Sequence, residues 1–237
     1  MLKQPYPFEN SMSRAGIIAG LVYFPIHVFL LPLFLPQLLM GMGMEDQGLL
    51  NLVYYGIGIF LVLTVYLPYL RANFDTLLDR LGFCFFSFLM ALGIDYVFSY
   101  AVNTLIVALA GGVENPNDMA IAEVALQSSG AIRAVGIFMA PIVEEILFRG
   151  VIFGAVREKN RFLAYSMSML MFAIYHVWQF ALLGDMSVLI YILQYLPVGF
   201  ALCWLYERCG SIWMPIGFHM MINAMSFAVQ KIAEQGA

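Results

Sequence analysis

The chain has 237 residues, of which 62% are hydrophobic and 11% charged, against about 45–50% and about 25% in soluble domains. Its mean hydropathy of +0.86 excludes a water-soluble globule, because too few charges exist to cover that much apolar surface. The formal net charge of −4, with no basic run, speaks against nucleic acid as a partner and leaves the lipid bilayer as the main one.

Stretches with few or no charges, long enough to cross about 30 Å of hydrocarbon, recur along the chain at 16–40, 48–70, 82–112, 131–156, 162–183, 186–206 and 211–230. The expected fold class is therefore an all-α integral membrane protein, a polytopic bundle of about seven transmembrane helices, with six or eight as alternatives. The first stretch begins after Arg14 and runs uncharged to Met44. That exceeds the ~7–15 residues of a cleavable signal's apolar region, so it reads as a retained span. Pro25, Pro32 and Pro36 should kink or split it. The third stretch is long enough to tilt strongly or to break near Gly93 and Asp95. Between the third and fourth, Glu114 to Gly130 is more polar. Met119, Ile121, Val124 and Leu126 interleave there with Glu123 and Gln127, as in a short amphipathic helix at the outer interface or a plain surface loop. The chain thus divides into an N-terminal transmembrane region, 1–130, and a four-span core, 131–230. Cys84, Cys203 and Cys209 form neither a disulfide framework nor a zinc-ligand spacing and read as packing residues.

Basic residues predict the orientation. With seven spans and a cytoplasmic N-terminus, the inner side holds Lys3, Arg14, Arg71, Arg80, Arg157, Lys159, Arg161 and Arg208. The outer side holds Arg133 and Lys231, together with Glu45, Asp46, Glu114, Asp118, Glu123 and Asp185. The N-terminus is expected in the cytoplasm, the C-terminus outside, and the location a prokaryotic cell membrane.

In so uncharged a chain, the ionisable residues within spans carry the functional information, since a charge at mid-membrane costs about 2.5–3.5 kcal/mol on the most lenient scale. The fourth span carries Glu144, Glu145 and Arg149, the fifth His176, and the seventh His219 with Asn223. Glu145 and Arg149 are spaced i, i+4 and can pair on one helix face, which leaves Glu144, turned about 100° away, without that cation. His219 and Asn223 are also i, i+4, so both can address one point. Phe172 lies one turn before His176. Counted from Arg157, Arg161 and Arg208, the residues Glu144, His176 and His219 lie roughly 16–23 Å from the flanking charges. They are expected to converge on one cavity opening toward the cytoplasm. His27 has no polar companion at helical spacing and reads as structural, and Asp95 as a helix cap or cavity-lining group.

These residues resemble a known family. Glu144-Glu145-x-x-x-Arg149, Phe172-x-x-x-His176 and His219-x-x-x-Asn223 are similar, in that order, to the three motifs of the CPBP (CAAX protease and bacteriocin-processing, or Abi) intramembrane proteases, the type II CAAX endopeptidase-like family. Gly199 to Ile216 is similar to the segment before the third motif. The resemblance covers about residues 131–226. It implies a helical intramembrane peptidase, a hydrolase whose functional positions are Glu144, Glu145, Arg149, His176, His219 and Asn223. Its substrate would be a peptide or protein, with prenylated proteins and bacterial peptide precursors as the family's range.

The corresponding mechanism has Glu144 activating a water near the cytoplasmic side, His176 holding that water, and His219 with Asn223 facing the scissile carbonyl as oxyanion donors. Glu145 with Arg149 would fix the fourth helix, with Phe172 in support. A zinc-dependent version, with Glu144, His176 and His219 as ligands, is the rival within the same function. It is disfavoured because Glu145, paired with Arg149, would then have to serve as base, so no cofactor is expected. A proton-coupled transporter and a non-catalytic immunity or scaffold protein are the alternatives of other classes.

Overall fold

The computed structural model describes residues 6–111, 115–127, 129–184 and 186–236. Every regular element among them is helical. α1 (Arg14–Pro25) starts at Ser13, whose Oγ accepts the Gly16 amide. It runs through a wide π-helical stretch, Ile26–Leu30, into α2 (Leu31–Gly41). Proline lacks an amide hydrogen and crowds the carbonyl four residues back. The widened turn between Pro25 and Pro32 absorbs that conflict without ending the rod. α3 (Gln47–Val65) is capped by Asp46, which accepts the Leu49 amide.

The stretch 48–70 forms one span that ends sooner than expected. α3 ends at Val65, and α4 (Leu67–Asp79) begins with Pro68 in its first turn, where a missing amide hydrogen is harmless. The expected break near Gly93 and Asp95 is absent: α5 (Leu81–Ala110) is continuous, and Asp95 accepts the Ser99 hydroxyl one turn on. Gly111 ends it in a left-handed conformation at φ 70°. The polar stretch contains α6 (Pro116–Gln127). Glu114 and the side chains of Val124, Leu126 and Gln127 lie outside the described residues, as do Lys3, Asp185 and the side chain of Lys231.

The rod carrying the first motif is built from α7 (Ser129–Ala134), a π stretch Val135–Met139, α8 (Ala140–Glu145), a second π stretch Ile146–Phe153 and α9 (Gly154–Arg157). α10 (Arg161–Leu182), α11 (Ile192–Cys209) and α12 (Trp213–Gly236) follow. Among the described residues, four segments are long and apolar enough to cross a membrane: Arg14–Gly41, Gln47–Val65, Leu81–Leu109 and Met186–Cys209. The protein is an all-α polytopic integral membrane protein. The three remaining rods, which carry the motifs, are not among these four. Those rods carry the polar motif side chains, which make them less apolar.

The first-motif rod is the centre of the bundle. Phe148, Arg149, Val151 and Phe153 are completely buried, with α1, α3, α10 and α12 packed around the rod. Two glycines set how close the N-terminal helices come: a Cβ on Gly20 would stand 2.3 Å from a Val151 methyl, and one on Gly58 2.8 Å from both Val143 methyls. Small residues at such crossings let membrane helices pack by van der Waals contact, where lipid offers no hydrophobic drive.

Arg80, Arg157, Arg161 and Arg208, all expected on one side, lie at one end of the bundle. There the buried Glu207 carboxylate accepts Arg157, Arg161 (2.7 Å) and the Tyr165 hydroxyl (2.7 Å), and Arg80 reaches the Cys209 carbonyl. All three cysteines are buried and free.

Overpacking the α1 crossing should be costly. Gly20→Leu is expected to destabilise the protein by about 1–3 kcal/mol, read as a lower unfolding midpoint in detergent. Gly56→Leu is the control, since a Cβ at Gly56 meets nothing within 4 Å.

Candidate active site

A cavity of ≈ 450 Å³ lies among α2, α3, α6, α8, α10 and α12. Glu144, His176, His219 and Asn223 all line it, so the structure brings these four sequence-selected residues together. Phe172, Glu145 and Arg149 lie behind them, buried.

The buried ion pair is built first. Arg149 Nη1 donates to Glu145 Oε1 at 2.9 Å, with both side chains fully shielded. Its guanidinium sits 4.3 Å over the Phe172 ring and also reaches the Gly199 carbonyl at 3.4 Å. The same Glu145 oxygen accepts His219 Nδ1 at 2.8 Å. Phe172 has a second function, because its carbonyl accepts His176 Nδ1 at 2.8 Å. A carbonyl and an ionised carboxylate only accept, so both Nδ1 atoms carry hydrogen. In the neutral rings, each Nε2 is then a bare lone pair.

Those two lone pairs face one atom. His176 Nε2 is 3.9 Å and His219 Nε2 4.0 Å from Glu144 Oε2, which is buried without a hydrogen-bond partner. These separations are too long for direct bonds and suit one small bridging species. The chemistry of the set (two imidazole nitrogens and a carboxylate) fits zinc. As they stand, however, no three His, Cys, Asp or Glu side chains among the described residues are arranged to hold a metal ion. Asn223 donates Nδ2 to the Gly136 carbonyl at 2.8 Å, which leaves one N–H and the carbonyl oxygen of its amide available.

Sequence reasoning missed the tyrosines. Tyr55 donates its hydroxyl to Glu144 Oε1 at 2.8 Å. Tyr175 stands 3.0 Å from Tyr55 and 3.1 Å from Tyr54, and Tyr195 stacks on His176 at 4.4 Å. Adjacent tyrosines in an otherwise aliphatic span, Tyr54-Tyr55, and one directly before a motif histidine, Tyr175, were the available signals. His27 is wholly buried, stacked on Tyr54, with Nδ1 3.3 Å from the Tyr23 hydroxyl. Asp95 does not line the cavity.

The expected opening toward the basic end is not found. Gln47, Asn51, Asn117, Asp118, Gln179 and Ser226 belong to the opposite end of the bundle, and they line the cavity. The residue count already implied this: roughly 16–23 Å into about 30 Å of hydrocarbon is past the midplane. At this mouth, burial pushes the Asp118 carboxyl upward while a hydrogen bond from Gln194 at 2.9 Å opposes the shift.

With this geometry in place, comparison with known proteins gives a consistent result. Residues 127–225 match the family described as type II CAAX prenyl endopeptidase Rce1-like. A candidate membrane peptidase of Bacillus subtilis (strain 168), YdiL, is 37% identical over 120 residues, covering 50% of this chain and 45% of that relative. The match therefore spans less than half of that relative's length. No solved structure matches significantly. The family resemblance holds for the segment that carries all three motifs.

Breaking the buried pair on one side should strand a charge. Arg149→Met is expected to cost about 3–5 kcal/mol, and Glu145→Gln/Arg149→Met to restore part of it, both measured by denaturation in detergent micelles.

Proposed function

We propose that this protein is an intramembrane endopeptidase that hydrolyses a peptide bond with a water activated by Glu144. The observation that supports this reading most is the convergence of Glu144 Oε2 with Nε2 of His176 and of His219, 3.9 and 4.0 Å away. A water between them meets three acceptors and has two hydrogens, so one partner must donate instead. His219 is suited to that role. With Nδ1–H held by Glu145 Oε1, its Nε2 faces the cavity and would present a hydrogen to the developing oxyanion once it carries one. The free N–H of Asn223 is the second donor. His176, held by the Phe172 carbonyl, accepts from the water and orients it toward the scissile carbon. Glu144 takes the water's proton and returns it to the leaving amine.

Seven crossings with a cytoplasmic N-terminus remain our reading of the topology, supported by the arginines at one end. The cavity then lies in the outer half of the membrane. A peptide or protein substrate enters from that side or laterally, and prenylated proteins and peptide precursors are the classes to screen first. One observation favours the zinc form of the same chemistry, namely the two Nε2 lone pairs aimed at a carboxylate. Zinc would there act on the bound water, with Glu144, His176 and His219 as ligands.

Purified protein in detergent, with no ion gradient, should cleave a quenched-fluorescent peptide. Glu144→Gln is expected to lower kcat by about 10²–10⁴-fold, and His219→Ala by about 10²–10³-fold. Full activity of Glu144→Gln would overturn the assignment. Absence of cleavage across a peptide and prenyl-peptide library would favour a transporter or scaffold. Metal analysis with chelator treatment separates the two hydrolytic forms. Activity should survive the chelator, and tightly bound zinc whose return restores activity would reverse that choice.

A further inference from the structure

The region before residue 127 lies outside the family match, yet it supplies a direct contact to the proposed base. Tyr55, on α3, donates its hydroxyl to Glu144 Oε1 at 2.8 Å. The other carboxylate oxygen, Oε2, is buried and has no partner. A carboxylate held at one oxygen has its plane fixed. Only Oε2 then addresses the space between the two histidines. We propose that Tyr55 is a positioning residue: it clamps one oxygen of Glu144 so that the other is the sole face offered to the water. This rests on the peptidase reading above.

The neighbouring tyrosines hold the clamp in place while the base takes a proton. From Glu144, the contacts run to Tyr55, to Tyr175 (3.0 Å), to Tyr54 (3.1 Å) and on to the His27 carbonyl (2.9 Å). The His27 carbonyl only accepts, so the Tyr54 hydrogen is committed there. With Glu144 ionised, Tyr55 donates to it. Tyr175 then has one hydrogen for two neighbours. When Glu144 gains the proton from water, it gains it on Oε2, the oxygen that faces the water. Oε1 stays an acceptor, so the Tyr55 hydroxyl keeps donating to it. No hydroxyl has to turn and no heavy atom has to move, so both states of the base keep a partner at Oε1. Gly58, three residues on along α3, allows this reach, because its missing Cβ lets the helix lie against Val143 beside Glu144.

The test compares wild type, Glu144→Gln, Tyr55→Phe and Tyr175→Phe in detergent. It reads cleavage of a quenched-fluorescent peptide and, without turnover, labelling of Glu144 by dicyclohexylcarbodiimide followed by mass spectrometry. Tyr55→Phe is expected to lower kcat at least about tenfold with KM within about twofold. It should also speed labelling of Glu144 at least about threefold, because Oε1 is uncovered. Tyr175→Phe, which leaves the clamp but removes its support, should move both readouts in the same direction by less, and it carries the test should Tyr55→Phe not fold. Unchanged labelling in the folded variant overturns the clamp. So does a wild-type kcat in Tyr55→Phe when Glu144→Gln is inactive, and in that case the peptidase reading stands. A wild type without cleavage removes the peptidase reading instead, and the labelling then decides whether Tyr55 holds this carboxylate at all.

Discussion

A carboxylate and a guanidinium cannot be withdrawn from water singly. The pairing of Glu145 with Arg149 inside the bundle is the constraint that the rest of the site obeys. Desolvating two ions costs several kcal/mol per ion and is offset only by close geometry and further hydrogen bonds. Those further bonds reach the helices that wall the cavity. The guanidinium lies on the Phe172 ring and reaches α11 at Gly199, while the carboxylate holds Nδ1 of His219 on α12. One i, i+4 pair thereby ties the first-motif rod to three other helices. It also fixes which ring nitrogen of His219 faces the cavity.

Once that scaffold is set, Glu144 is defined by contrast. Its neighbour is paired with a cation; Glu144 is held by a phenol and looks toward two imidazoles. Two adjacent carboxylates thus have different environments because successive helix positions face different neighbours. The second π stretch of that rod, Ile146–Phe153, begins directly after the two carboxylates, and Arg149 sits within it. Such insertions occur frequently at functional sites.

The polarity of the bundle organises access. At one end, arginines are gathered by the buried Glu207; at the other, amides and Asp118 line the cavity mouth. The exposed apolar side chains of α1, α2, α3 and α5, such as Phe34, Phe60, Phe86 and Leu109, are what lipid covers. A small polar molecule such as water therefore has a polar entrance to the cavity at that end of the bundle.

Composition alone determined that lipid is the solvent and helix the form, because backbone groups in hydrocarbon must be satisfied within the segment. Spacing alone determined the Glu145–Arg149 pair, and motif order selected Glu144, His176, His219 and Asn223 from a handful of polar residues. Helix periodicity is a local property, so these were legible. The second stretch is a span whose end was read a few residues too far, because the apolar run continues from Val65, where α3 closes, into the first turn of α4. The hydrogen bond from Tyr55 to Glu144, the ring nitrogens that the two histidines turn to the cavity and the end at which the cavity opens were decided only by tertiary structure. Each depends on which helix faces which across a crossing set by single missing methyl groups, and no pattern along one chain encodes that distance.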